Sequence, residues 1–352
     1  MGRPIINEAY WLRAISCLAV AVTHCVNTTL GNYEESIPQL EEYFLIVIRF
    51  IAFFGTPTFI FISELLLAHS YPNKLPQDFF IKRVKFLLIP FIFIGLVFAI
   101  LVSNSLKDIL YEWLINLFLG GYHGYFILII FQFYILHAAL HKYMVKWPAK
   151  KVLLIAFFIN AIYLSIFNFT EPIAGKVGEY FWLRGYWVPF LGWLFYFVLG
   201  FYCGRHFKLL KAHIEQQKYM MYILPFLFIS VICILTRSHI LDVVSSKRVD
   251  MLFYTVSVIF FIILVTMNRV KVPKFIYIIS KYSFNIYLLH KILLYFLKPI
   301  GYLNPVIYFI FSFIYSVLGA VIIAKALGYF SFSKFLIGKT IPIPKEDGVQ
   351  KS

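Results

Sequence analysis

Residues 10–30 read YWLRAISCLAVAVTHCVNTTL, an unbroken run with one formal charge, Arg13, and one imidazole, His24. About 20 mostly apolar residues make enough helix, at 1.5 Å per residue, to cross a hydrocarbon core of roughly 30 Å. The run lacks the polar/apolar alternation of a membrane strand, so it reads as a membrane helix. More apolar runs follow it, rather than a small-residue cleavage site, which makes it the first span and not a signal peptide.

Nine further windows of this kind lie near 43–68, 84–103, 123–142, 152–169, 187–204, 219–236, 251–268, 276–297 and 304–328. Composition agrees with them. Of 352 residues, 61% are hydrophobic, 20% aromatic and 14% charged, where soluble domains carry roughly 25% charged residues. Mean hydropathy is +0.82. The expected fold is an all-α integral membrane protein, a polytopic bundle of about ten transmembrane helices with short connecting loops. One membrane domain spans 1–330, followed by a tail over 331–352.

The net charge of +16, from 32 Lys+Arg and 16 Asp+Glu, would suggest nucleic acid in a soluble domain. Here it follows membrane orientation. With the N-terminus inside, four inner loops and their helix ends carry sixteen basic residues, among them Lys82, Arg83 and Lys85, against seven in the five outer loops. Arg3, Lys334, Lys339, Lys345 and Lys351 raise the inner count to twenty-one. The bias places both termini in the cytoplasm and the chain in the cell membrane, with the bilayer as its partner and no nucleic acid. Cys17, Cys25, Cys203 and Cys233 sit in apolar runs without zinc-site spacing or an outer loop to bridge, and read as small core residues.

Ionisable groups deep in a bilayer are expensive, about 2.5–3.5 kcal/mol each on insertion scales, and so each asks for a role. Arg13 and His24 are eleven residues apart, close to three helical turns, so both project from one face about 16 Å apart along the axis. Snorkelling by Arg13 and a helix-contact hydrogen bond by His24 fit equally well. His290 lies fourteen residues into the ninth window, as His24 does in the first, so both imidazoles can meet in one cavity. Glu64 enters from the other side at the depth of Arg13, where an ion pair or plain charge neutralisation would account for it. Arg49, Lys291 and Lys325 lie within reach of helix ends or loops, where snorkelling suffices. Lys82, Arg83 and Lys85 precede the third span, which kinks or restarts at Pro90; they suit phosphates or simple anchoring. Gly120-Gly121-Tyr122-His123-Gly124-Tyr125 opens the fourth span. No nucleophile elbow, phosphate loop, dinucleotide fingerprint or zinc-helix motif occurs, and no metal is expected.

Four motifs in this order resemble those of the integral-membrane acyltransferase-3 family: Arg13 and His24 with ten residues between; Lys82-Arg83-Val84-Lys85 leading to Pro90; His123-Gly124-Tyr125, with Tyr where the family has Trp; and Tyr287-Leu288-Leu289-His290. Phe54-Gly55-Thr56-Pro57 and Gly192-Trp193-Leu194-Phe195 are similar to its exopolysaccharide-associated branch. The resemblance spans nearly the whole chain. It implies transfer of an acetyl or succinyl group from a cytoplasmic acyl-CoA-type donor to a hydroxyl of an extracytoplasmic glycan, without a metal. His24 would be general base or acyl relay and Arg13 would bind donor phosphate or polarise the thioester. Arg83, Lys82 and Lys85 would cradle donor phosphates, His290 and Tyr287 would complete the cavity, and His123 and Tyr125 would face the glycan. Two departures stand out: Glu64 replaces a Gly of many relatives, and no extracytoplasmic hydrolase-like domain is expected, which makes glycan synthase or export proteins candidate partners. A polysaccharide exporter is the competing reading; its paired broken helices and inverted repeat are not evident.

Overall fold

Continuous apolar sequence without strand periodicity folds here as helix throughout. The computed structural model describes residues 6–172, 174–269 and 271–341, and among these residues every regular element is helical. In chain order the helices are α1 (Glu8–Asn32), α2 (Gln39–Ala52), α3 (Gly55–Ser70), α4 (Phe79–Arg83), α5 (Ile89–Val102), α6 (Leu106–Phe118), α7 (Phe126–Met144), α8 (Ala149–Phe169), α9 (Lys176–Trp187), α10 (Leu194–Arg205), α11 (Phe207–Gln216), α12 (Lys218–Arg237), α13 (Met251–Thr266), α14 (Lys274–Tyr295), α15 (Pro305–Leu327) and α16 (Ser333–Leu336). A π-helical turn, Val84–Leu88, joins α4 to α5, which leaves Pro90 in the first turn of α5 where its missing N–H breaks no bond. The basic residues Arg3, Lys345 and Lys351, and the tail from 342 onward, lie outside the described residues.

The chain is a multi-pass helical membrane protein. Among the described residues, seven helical stretches are long and apolar enough to cross a bilayer, and eight if α9 and α10 count as one span bent by 40°. Pro189, extended at ψ 141°, makes that bend. All ten windows fall on helix, but the expected ten crossings also need α13 and α14. The sixteen residues of α13 give about 24 Å of helix against a core of roughly 30 Å. α14 carries Lys281, Asn285, His290 and Lys291 and is not among the seven. The connectors are also less bare than expected, since α6, α9 and α11 occupy three of them.

Lipid-facing surface is legible directly. Ile155, Phe158, Ile162 and Ile166 on α8, Ile223, Phe226 and Leu227 on α12, and Ile307, Ile310, Ile314 and Leu318 on α15 are all exposed. In water such stripes would aggregate; in a bilayer they are solvated. α1 is the central element, packed against α14, α3, α2, α15 and α13. One large core joins α3, α7, α10 and α13 on one side of it, and a second joins α5, α14 and α15 on the other. α10 lies unusually close to α3 because Gly200 and Gly204 have no side chain at the contact: a Cβ on Gly200 would meet the Phe61 carbonyl oxygen at 2.6 Å. After α16 the chain turns through Gly338 (φ 87°) and ties back to α14, where the Asn285 amide donates to the Ile337 carbonyl at 2.8 Å.

Candidate functional site

His24, His123 and His290 meet in one cluster. Ring centroids are 5.1 Å apart for His24 and His290, 5.2 Å for His123 and His290, and 6.3 Å for His24 and His123. Each imidazole comes from a different element: α1, the 3-10 turn His123–Tyr125, and α14. The depth match between His24 and His290 therefore corresponds to a contact, and His123, expected to face the glycan, joins them. It is drawn in by a reciprocal pair of hydrogen bonds: His123 Nε2 donates to the Tyr287 carbonyl at 2.9 Å, and the Tyr287 hydroxyl donates to the His123 carbonyl at 2.6 Å. Phe98 and Tyr122 pack against the His123 ring, and Gly124 gives the Tyr122 ring its room.

These bonds set the tautomers. With its Nε2–H committed to Tyr287, neutral His123 carries a lone pair on Nδ1, and that atom is buried without a hydrogen bond. His290 Nδ1 donates to the Ile286 carbonyl at 2.8 Å, one turn back on its own helix, which leaves the lone pair on Nε2, also buried and unpartnered. Two of the three imidazoles are thus locked as proton acceptors. His24 is half-buried and makes no hydrogen bond among the described residues, so either of its nitrogens is available. Among the described residues no three His, Cys, Asp or Glu side chains converge in metal-holding geometry; the rings meet at ring-contact distances instead.

Three turns along α1, half-buried Arg13 lies within electrostatic range of Tyr10, Tyr134 and Arg83. The Arg83 guanidinium sits over the rings of Phe79 and Tyr134, at 4.9 and 5.0 Å. Neither arginine has a carboxylate or any hydrogen bond among the described residues, so neither cation is compensated by a fixed anion. Of the basic run only Arg83 turns inward. Lys82 is exposed and ion-paired with Asp78, and Lys85 is exposed.

Two residues go elsewhere. Glu64 is not paired with Arg13: its Oε1 is hydrogen-bonded at 2.6 Å to Nδ1 of His137, and both side chains are buried. The helix explains the difference. Gly55 packs on Ser16 and Ala19 of α1, and Glu64, nine residues on, packs beside Gly200 of α10; nine residues are half a turn out of phase, so Glu64 points away from α1. Tyr125 is near the histidines in sequence but its ring contacts Trp187 and the ammonium of Lys247. Lys247 is 3% exposed and enclosed by Tyr125, Tyr186, Trp187 and Trp193, with ring centroids 4.7 to 5.5 Å away. Burial draws its ammonium down to about 7. Sequence reasoning treated Lys247 as one more loop charge and passed over His137 and His141, although their i, i+4 spacing on α7 places them on one face; their rings are 5.0 Å apart.

The family model described as an acyltransferase domain matches residues 6–325. A protein of Bacillus subtilis (strain 168), provisionally designated membrane-bound acyltransferase YfiQ, is 36% identical over 363 residues, which cover 98% of this chain and 97% of that one. A Staphylococcus aureus (strain MRSA252) protein named "Probable poly-beta-1,6-N-acetyl-D-glucosamine export protein" is 31% identical over 343 residues, 94% of this chain and 95% of its own. One of the same name from Staphylococcus epidermidis is 32% identical over 299 residues, 82% and 81% of the two chains. No solved structure matches. With the family model covering most of the chain and the Arg13, Arg83, His123 and His290 motifs gathered around α1, the protein belongs to the acyltransferase-3 family of membrane-bound acyltransferases.

Proposed function

We propose that the protein moves an acetyl or succinyl group from a cytoplasmic acyl-CoA-type donor to a hydroxyl of an extracytoplasmic glycan, with both chain termini in the cytoplasm of the producing cell. The observation that carries this reading is the two-ended polar face of α1. At one end Arg13 and Arg83, neither with a carboxylate partner, make a cationic site suited to donor phosphates; Lys85, exposed beside it, adds charge at the entrance, and Lys82 stands there paired with Asp78. At the other end, about 16 Å along the axis, three imidazoles gather with two lone pairs unpartnered. The distance suits a long flexible arm that reaches from its phosphates to the reacting thioester.

His24, the imidazole with no competing hydrogen bond, takes the proton of the attacking hydroxyl or carries the acyl group. His290 and His123 stand as acceptors behind it, and Tyr287 holds His123 in place. Tyr125 and its aromatic neighbours line the glycan side. Glu64, remote from this face, takes no part in the transfer. The export designation of the staphylococcal relatives supports a second reading, passage of the polysaccharide itself. Mass spectrometry of surface glycans separates the two, in cells with wild-type protein, none, or His24→Ala at matched membrane abundance. Loss of ester-linked acyl groups with continued glycan export is the expected result. Loss of surface glycan with no ester present in any strain supports the exporter instead.

A further inference from the structure

Two buried cations are neighbours in the loop between α12 and α13, and only one of them is neutralised. Arg248 is paired with Asp250 at 2.7 Å and donates to the Thr236 hydroxyl at 2.6 Å. The Lys247 ammonium has no carboxylate and no hydrogen bond among the described residues. Four rings stand in their place: the nitrogen lies 4.7 Å from the ring centroid of Trp187, 5.2 Å from Tyr186, 5.4 Å from Trp193 and 5.5 Å from Tyr125. The rings come from three elements, the end of α9, the 3-10 turn Phe190–Trp193 before α10, and the 3-10 turn His123–Tyr125. The backbone is held so as to deliver the side chain: the Asn168 amide of α8 accepts from the Val249 N–H at 2.9 Å and donates to the Tyr186 hydroxyl at 3.1 Å. A lone ammonium is expensive to bury, and an apolar side chain of similar length would fill the box without that cost. What a cation adds is attraction to the faces of several rings at once.

Tyr125 links this box to the histidines. Its ring lies against Trp187, with centroids 5.5 Å apart, and it ends the same three-residue turn that His123 begins. At the His123 end the turn is held by the two hydrogen bonds to Tyr287. At the other end the Tyr125 ring is held in the box. Gly124, between them, contributes no side chain, because the Tyr122 ring fills the space a Cβ would take. We propose that Lys247 is a positioning residue for the three-histidine cluster: its ammonium gathers the four rings, fixes Tyr125, and so sets the turn that presents His123 to His24 and His290. The role rests on the acyl-transfer reading above. With the ammonium drawn down to about 7, the cation is present below that pH and lost as pH rises through it. The other groups facing the box leave this window clear. Tyr125 and Tyr186 are phenols, which ordinarily titrate at about 10, and Arg248 and Asp250 are paired with each other.

The test uses the full chain in proteoliposomes with cell-wall glycan fragments from the host, and acetyl-CoA and succinyl-CoA in separate reactions. Glycan-dependent release of free thiol is read over about pH 6–8.5, which brackets the Lys247 titration. The proteins compared are wild type, Lys247→Met, Lys247→Arg, Tyr125→Leu and the Lys247→Met/Tyr125→Leu double variant, each with its melting temperature. Misplacing a reacting group by about 1 Å costs up to about 10²-fold, so Lys247→Met should lower kcat about 10- to 100-fold near pH 6, with KM for the donor unchanged. Wild-type kcat should fall toward the Lys247→Met value as pH rises through about 7. Lys247→Arg, whose guanidinium keeps its charge, should hold its rate to the alkaline end. Because both substitutions act through one turn, the double variant should be no slower than the slower single variant. A Lys247→Met kcat equal to wild type near pH 6 overturns the proposal, as does an alkaline fall that Lys247→Met shares, or effects that multiply in the double variant. Should Lys247→Met fail to fold, wild type against Lys247→Arg decides: an alkaline fall that Arg abolishes supports the role, and identical profiles overturn it. Wild-type protein that releases no thiol from either donor overturns the transfer reading itself and this role with it, a result distinct from failure of Lys247 alone.

Discussion

At the scale of single residues, polar groups in this bundle fall into two classes. The polar face of α1 leaves its hydrogen-bonding capacity unused: two buried imidazole lone pairs at the His24 end and two guanidiniums without an acid at the Arg13 end. Such groups cost stability and are kept where a ligand or a reaction completes them. Glu64 and His137 belong to the other class, hydrogen-bonded to one another at 2.6 Å through Oε1 and Nδ1 beside Phe201, with only the far nitrogen of His137, Nε2, left without a partner. Removing one member of a buried pair strands the other, at a cost of about 3–5 kcal/mol. Glu64→Ala and His137→Ala should each lower the melting temperature in detergent sharply. Glu64→Gln, which retains an oxygen acceptor, should cost about 1 kcal/mol. The Glu64→Leu/His137→Phe double variant should recover most of the loss. Equal melting temperatures for Glu64→Ala and Glu64→Gln would show that the pair contributes nothing.

At the scale of helices, the site depends on close approach around α1. The stretch Gly200–Gly204 lets α10 lie against the Phe61 and Leu65 backbone, which fixes α3, and α3 in turn packs on α1 through Gly55, where a Cβ would come within 2.9 Å of the Ser16 carbonyl. The gain is dispersion contact between backbones, since lipid offers no hydrophobic drive for helix association. Gly200→Leu should force α3 and α10 apart, and overpacking of this kind costs roughly 1–3 kcal/mol. The expected result is reduced membrane abundance and a lower melting temperature, while Gly31→Ala, with open space around it, leaves both unchanged. A Gly200→Leu protein with wild-type melting behaviour would refute the packing account.

At the scale of the whole molecule, orientation is carried by charge. The basic excess on one set of loops predicts that a reporter fused after Ser352 is active in the cytoplasm, and that a single cysteine placed at Glu35 is labelled from outside in intact cells. Labelling at Glu35 only after the cells are permeabilised would reverse the orientation and exchange the donor and acceptor ends of α1.

Composition and hydropathy determined the membrane-helical class outright, because a chain this apolar has no soluble alternative. Eleven-residue spacing determined that Arg13 and His24 share a face, because helical geometry is local. The motif order determined the family. Tertiary structure alone decided the rest. It joined His123 to His24 and His290 through two hydrogen bonds to Tyr287, separated in sequence by 164 positions, and no local period encodes such a pairing. It turned Glu64 away from Arg13, since which face of α3 meets α1 was settled by the glycine contacts and not by depth. It buried Lys247 in an aromatic enclosure drawn from four separate positions. Depth in the bilayer can be read along one helix; azimuth, the direction each polar side chain takes around that helix, emerges only when the neighbouring helices are in place.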